Sequence, residues 1–344
     1  MMFNPSKNLF FFTLILGIFI TISSNSWLGI WMGLEINLLS FIPLMMDKSN
    51  VFASEASLKY FLTQAMASSL LLFAIILFLS FNNLNFSTWN FLFSSKLMLI
   101  NMSLLIKMGA APFHFWFPSV MNCLSWFNNW ILMTIQKIAP FILIFYSFNY
   151  FIVFSSMVLS LMFGALGGIN QTSIRKIMAY SSINHMSWML CSMYFSKSLW
   201  LNYFFFYNFL TSAIVILFYL FNLFFLNQIF LYFNNNLPIK FSIFILLLSL
   251  GGLPPFIGFF PKWLVIQHLM FNQFYFIMLV LVVMTLFTLY FYLQLTYSAF
   301  MMDSWNFKWN FFKNKNYYFF YNYLFISLSF FSIFSLILIT LFFN

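Results

Sequence analysis

Apolar runs follow one another along almost the whole chain, and what separates them is sparse: Asn, Ser, Pro and single charges. Runs of about twenty apolar residues are long enough to cross a bilayer as helices, and punctuators of this kind end them. The pattern predicts about eleven such helices, at residues 8–23, 26–46, 56–81, 96–118, 124–147, 149–168, 173–194, 200–226, 240–267, 274–302 and 318–343. The first is short for a full crossing and suits a thin or tilted fit. The fold class this predicts is an all-α polytopic membrane protein, one membrane domain over residues 1–344.

Two of the predicted helices carry the same interruption. The stretch from Gly109 through Pro112, Phe113 and Phe117 to Pro118 reads G-x-x-P-F-x-x-x-F-P, and so does the stretch from Gly252 through Pro255, Phe256 and Phe260 to Pro261, offset by 143 residues. Phe matches carry little weight in a chain with 57 Phe, but Gly and Pro matches carry more, with ten Gly and nine Pro in all. The two stretches fall in the fourth and ninth predicted helices. Five is an odd spacing, so two five-helix units would enter the membrane from opposite sides. The reading is an inverted five-helix repeat, residues 1–147 and 149–302, with an extra C-terminal helix at 318–343. In such repeats paired broken helices mark the transport site.

Composition supports lipid as the solvent. The chain is 64% hydrophobic and 5% charged, with a mean hydropathy of +0.96, whereas a soluble domain needs about 25% charged residues to cover its surface. The net charge of +10 comes from 14 Lys and Arg against four acids, Glu35, Asp47, Glu55 and Asp303. The basic residues form no cluster of the kind that binds nucleic acid; they sit at the ends of apolar runs. With the helices as predicted, nine of them, from Lys7 to Lys315, share one side of the membrane with the N-terminus, and two, Lys96 and Lys197, lie on the other. That bias makes the first side the matrix in a mitochondrion and places the C-terminus in the intermembrane space. The apolar stretch after Lys7 has no small-residue cleavage site and is expected to be retained. Cys123 and Cys191 form no C-x-x-C and read as packing residues. The abundance of Phe, Met and Asn beside a single Arg, Arg175, is the composition of AT-rich coding, common in mitochondrially made proteins.

The remaining three basic residues fall inside predicted helices: Lys107 just before the first break, Lys137 in the fifth helix, and Lys262 directly after Pro261. Glu35 lies near the middle of the second. An ionisable side chain in mid-membrane is costly and marks a functional site. One acid and three bases are what a proton relay needs. A lysine out of water loses the solvation of its charged form and exchanges protons nearer neutral pH, and a carboxylate beside it opposes that shift. At about 7 Å and an effective dielectric of about 20 the attraction is roughly 2.4 kcal/mol. Separating Glu35 from Lys107 would thus favour transfer of the proton to Lys137 and then Lys262. The competing reading is structural ion pairs or snorkelling lysines, against which stands the lack of a second deeply placed acid. His114, in the first break, could relay protons or cap a freed carbonyl. His185 could add polar lining to the seventh helix, and His268 reads as interfacial. The three histidines lack metal-ligand spacing, and no nucleotide-binding loop is present, so neither metal nor nicotinamide nor flavin is expected in this chain.

Several segments resemble the chain 2 family of NADH–ubiquinone oxidoreductase, with motifs in the same order over almost the whole length. They include Gly33–Pro43, Glu55–Gln64, Lys107–Pro118, Gln136–Pro140, Gly167–Lys176, Ser181–His185, Leu250–Pro255 and Phe260–Lys262, and the style is that of insect mitochondrial members. The resemblance implies an antiporter-like, proton-translocating subunit in the membrane arm of respiratory complex I, built on inverted five-helix repeats. It implies that the family's acid is Glu35 and its channel lysines are Lys107, Lys137 and Lys262. FMN, iron–sulfur clusters and ubiquinone would then belong to other subunits. The implied partners are the neighbouring antiporter-like subunit 4, the small subunit 4L, the lateral helix of subunit 5, accessory subunits, and inner-membrane lipids such as cardiolipin, with no nucleic acid. Roles that depend on the extra N-terminal helices of bacterial relatives do not transfer. Two rival functions stand beside this one: a free-standing cation/proton antiporter, which usually needs more carboxylates, and a purely structural subunit.

Overall fold

A computed structural model describes residues 5–47, 50–80, 86–233 and 237–301. The chain divides into two compact units, residues 1–160 and 161–344. In the first lie α1 (Pro5–Ser23), α2 (Trp27–Met45), α3 (Val51–Ser80), α4 (Phe86–Met108), α5 (Trp116–Cys123), α6 (Trp126–Met133) and α7 (Ile135–Tyr146), and α8 (Tyr150–Gly168) runs across the division. The second holds α9 (Ile174–Phe195), α10 (Lys197–Leu220), α11 (Leu226–Phe233), α12 (Leu237–Gly251), α13 (Phe259–Phe271) and α14 (Tyr275–Met301). Among the described residues no β-strand forms; one isolated antiparallel bridge joins Ser173 to Phe225.

The apolar runs become helices because a bilayer leaves backbone amides no other partner. Helix hydroxyls obey the same constraint and bond back to their own helix. Ser40 donates to the Asn37 carbonyl at 2.9 Å and Ser103 to Ile100 at 2.7 Å. In the first unit α1 and α2 form a hairpin of close approach. A Cβ on Gly33 would come within 2.6 Å of Thr21 Cγ2, so only glycine lets the backbones meet there. Lys7 and Asp47 clamp the open end of the hairpin with an ion pair of 2.5 Å, which puts the start of α1 and the end of α2 at one level.

Seven described helical spans are long and apolar enough to cross a membrane: α1, α2, α3, α6 with α7, α8, α10 and α14. Three other predicted crossings are α9, α4 with α5, and α12 with α13. α9 is polar yet buried from Ser181 to Met193. The other two are the broken pairs, whose first halves Leu97–Met108 and Phe241–Gly251 are short and apolar. The predicted helix at 318–343 and the loop before it, with Asp303, lie outside the described residues.

Several boundaries differ from the sequence reading; the helix expected at 96–118 begins at Phe86 and its second piece runs to Cys123. The helix expected at 56–81 begins at Val51. The helix expected at 124–147 is divided at Thr134, whose hydroxyl and backbone amide both bond to the Trp130 carbonyl while its ψ of −72° displaces the turn that follows. The helix expected at 200–226 ends at Leu220 because Asn222 takes a left-handed conformation, φ 51°. The chain then runs extended past residues 172–174 before starting α11.

Candidate functional site

Both predicted breaks are present, and the bonds that close each helix correspond, although Gly252 N–H also donates to Leu248 O (3.1 Å) and Ala111–Pro112 is cis. At the end of α4, Ala110 N–H donates to Leu105 O (3.1 Å) and Gly109 N–H to Ile106 O (3.1 Å); at the end of α12, Leu253 N–H donates to Leu248 O (3.5 Å) and Gly252 N–H to Ser249 O (3.0 Å). With Gly109 at φ 73° and Gly252 at φ 84°, each helix closes in a Schellman motif. Matching turns follow, Phe113 N–H to Ala110 O (2.9 Å) and Phe256 N–H to Leu253 O (3.0 Å). The chain then re-enters a helix with Pro118 or Pro261 in its first turn, where a missing N–H costs nothing.

In the first unit the break gathers the predicted residues. Lys107 is buried at the end of α4, its ammonium without a hydrogen-bond partner. Its carbonyl, one of those the break leaves open, accepts from Gln64 Nε2 on α3 (3.2 Å), and the neighbouring Ile106 carbonyl accepts from Trp116 Nε1 (3.1 Å). His114 is buried inside the break and bonds to the Pro112 carbonyl, so its imidazole caps the interrupted backbone. Lys137 on α7 is 1% exposed, with Nζ 5.1 Å from the centre of the Phe117 ring beyond the break. A cation over an aromatic face gains attraction without an anion. Glu35, partly buried on α2, acts electrostatically on Lys107 but makes no direct ion pair with it. A hydrogen bond ties the Glu35 helix to the Lys137 helix: Gln136 Nε2 donates to Asn37 Oδ1 at 2.9 Å.

The other described acids are committed elsewhere, Asp47 to Lys7 and Glu55 to Lys59 (2.6 Å). Neither is therefore a direct partner of Lys107.

In the second unit Lys262 folds back from the first turn of α13 onto the end of α12, where Nζ donates to Gly251 O (2.8 Å) and Leu250 O (3.4 Å). It is buried, not snorkelling, and lies 5.9 Å from the centre of the Trp188 ring. Trp188 stacks on Tyr203, and Tyr203 OH meets His185 Nδ1 at 3.0 Å. Tyr207 follows one turn on, its ring 5.2 Å from that of His185, and it bonds to Ser182. His268, in the last turn of α13, stacks on Phe195.

Comparison with known proteins decides the family. The family described as NADH:quinone oxidoreductase/Mrp antiporter, TM, matches residues 24–288. The chain is 58% identical to NADH-ubiquinone oxidoreductase chain 2 of Anopheles gambiae over 89% of its length and 90% of the relative's, and 53% identical to that of Aedes aegypti over 98% and 97%. The chain belongs to the NADH-ubiquinone oxidoreductase chain 2 family. Solved structures share the fold at low identity. A chain of Thermus thermophilus respiratory complex I matches with a TM-score of 0.79 at 21% identity, over 96% of this chain and 77% of that one. A chain of the Mrp complex from Dietzia matches at 0.70 and 16% identity, over 83% and 59%.

Several neutral groups beside the charged residues were not singled out from the sequence. Gln64, Trp116, Gln136 and Tyr203 touch the breaks or the charged helices. Gln136 had a signal, its place beside Lys137 in an otherwise apolar run. Tyr203 had none among 17 Tyr and 57 Phe.

Proposed function

We propose that this chain is an antiporter-like proton-translocating module in the membrane arm of respiratory NADH:ubiquinone oxidoreductase, in the mitochondrial inner membrane, and that Glu35, Lys107, Lys137 and Lys262 carry the proton. The observation that supports this best is the first break: a buried ammonium, Lys107, with no hydrogen-bond partner, within electrostatic reach of one carboxylate that does not touch it. A charge held so is displaced by small movements of its partner. With Glu35 near, the proton stays on Lys107 Nζ; with Glu35 drawn away, it passes toward Lys137, the second cation at the same break. Residues 109–115, where the helix is open, give the path polar backbone, with Gly109, Ala110, Ala111 and His114 buried. His114, held on the Pro112 carbonyl, positions that backbone. In the second unit Lys262 is the carrier, and His185 is a relay group beside it.

NADH, FMN, iron–sulfur clusters and ubiquinone belong to other subunits. Partners are the neighbouring membrane-arm subunits, among them the antiporter-like subunit 4, the small subunit 4L and the lateral helix of subunit 5, together with lipids such as cardiolipin. The N-terminus faces the matrix on the basic-residue bias. The test is Lys107→Met in the assembled complex, read as protons moved per electron; a normal ratio refutes the assignment.

A further inference from the structure

A Schellman motif leaves the last two carbonyls of its helix open. In the first unit one of these, Lys107 O, is met by a neutral amide, Gln64 Nε2. In the second unit the equivalent carbonyl is Leu250 O, by the offset of 143 residues between the breaks, and both it and Gly251 O are met by the ammonium of Lys262. The same backbone thus takes an uncharged cap in one unit and a titratable one in the other.

What lets the ammonium arrive is Gly252. Its φ of 84° is the left-handed conformation that closes the motif, and a Cβ built there would stand 2.8 Å from Lys262 Nζ and 2.9 Å from its Cδ. The lysine stem lies across the space a side chain would fill. Gly109 shares the conformation, but a Cβ there would meet Phe117 and Trp116 and no charged group.

We propose that Gly252 is a positioning residue for Lys262: its missing side chain seats Nζ on the Leu250 and Gly251 carbonyls, so that the charge of Lys262 and the last turn of α12 change together. This builds on the reading of Lys262 as a proton carrier. The ammonium has three donors and a positive charge to set against the helix's negative end, whereas the neutral amine has two donors and no charge. When the proton leaves, the cap weakens and the α12 carbonyls open toward the break. When it returns, the turn closes.

The test is a double-substitution cycle in the assembled respiratory complex in vesicles, read as protons per electron and as complex abundance. Gly252→Asn is the variant of choice, because asparagine enters the left-handed region more readily than other residues with a Cβ. It should lower protons per electron by about twofold or more with Lys262 present and add nothing to Lys262→Met, which has no ammonium to seat. Gly109→Asn, whose new Cβ meets Phe117 and Trp116, should change complex abundance to the same extent with and without Lys262→Met. Where Gly252→Asn prevents assembly, recovery of abundance on adding Lys262→Ala, which removes the stem the new side chain would meet, supports the proposal. Equal losses of ratio with and without Lys262→Met overturn it, as do equal losses of abundance with and without Lys262→Ala, and as does a silent Gly252→Asn. A normal ratio in Lys262→Met alone overturns the carrier reading and the proposal with it; a lowered ratio there with an uncoupled Gly252→Asn overturns the proposal only.

Discussion

Replacing Lys107 by Met should separate stability from function in opposite directions. The Lys107 side chain is 8% exposed and its ammonium has no hydrogen-bond partner. Holding a cation in such a place costs several kcal/mol even after relaxation. Glu35 returns only part of this. Two charges in contact at about 4 Å attract by about 4 kcal/mol at an effective dielectric of about 20, and at about 7 Å by roughly 2.4 kcal/mol; Glu35 and Lys107 are not in contact. Methionine removes this deficit, and the half-buried Glu35 loses no more than the roughly 2.4 kcal/mol of attraction it had. Methionine keeps the length and the apolar stem, so packing changes little. Complex abundance on blue-native gels should therefore hold or rise. Protons moved per electron in reconstituted vesicles should fall severely, with coupled electron transfer falling alongside. Lys107→Arg should also fail to pump, because a guanidinium keeps its proton. A structural role would give the reverse pattern, Arg rescuing and Met lowering abundance. Normal pumping by the Met variant would refute the argument at its root.

Gln136→Leu leaves Asn37 Oδ1, on a residue 3% exposed, without its donor, at a cost of about 1–3 kcal/mol. The purified complex should melt at lower temperature, and an unchanged melting point would show that the α2–α7 tie carries no weight. Tyr203→Phe removes the hydroxyl 3.0 Å from His185 Nδ1; abundance should stay near normal while protons per electron fall several-fold, and a wild-type ratio would remove His185 from the relay. The loop at 303–317, outside the described residues, should be cut by protease from the matrix side only; cleavage solely from the intermembrane side would invert the orientation.

The breaks were legible because glycine and proline are rare here and cannot be spent at random in a membrane helix. Gly109 and Gly252 take a backbone angle most other residues avoid, and Pro118 and Pro261 stand in a first turn, whereas Pro43 and Pro140 lie inside α2 and α7. The lysines were legible because charge in an apolar run has few reasons to be there. What stayed hidden was which group closes each break. Gln64 and Lys262 are 43 and 12 residues from the carbonyls they meet, and no local pattern links them. The division at Thr134 was hidden for another reason. It has neither glycine nor proline, and threonine bonding to its own helix is ordinary in lipid; only the ψ of −72° distinguishes this one. The end of α10 at Asn222 was readable in principle, since asparagine is the commonest substitute for glycine in a left-handed cap, but asparagine is abundant in this chain.

The polar interior of α9 bears on how the protein is made. A segment partitions from the insertion machinery into lipid by its own hydrophobicity, and α9, with Ser181, Ser182, Asn184, His185 and Ser187 along its middle, has too little of it to stand among the apolar spans. Its neighbours α10 and α14 are strongly apolar, and α9 packs against both. Residence of α9 in the bilayer is therefore conditional: the helix that carries His185 is stable there only once α10, made after it, has arrived to cover it.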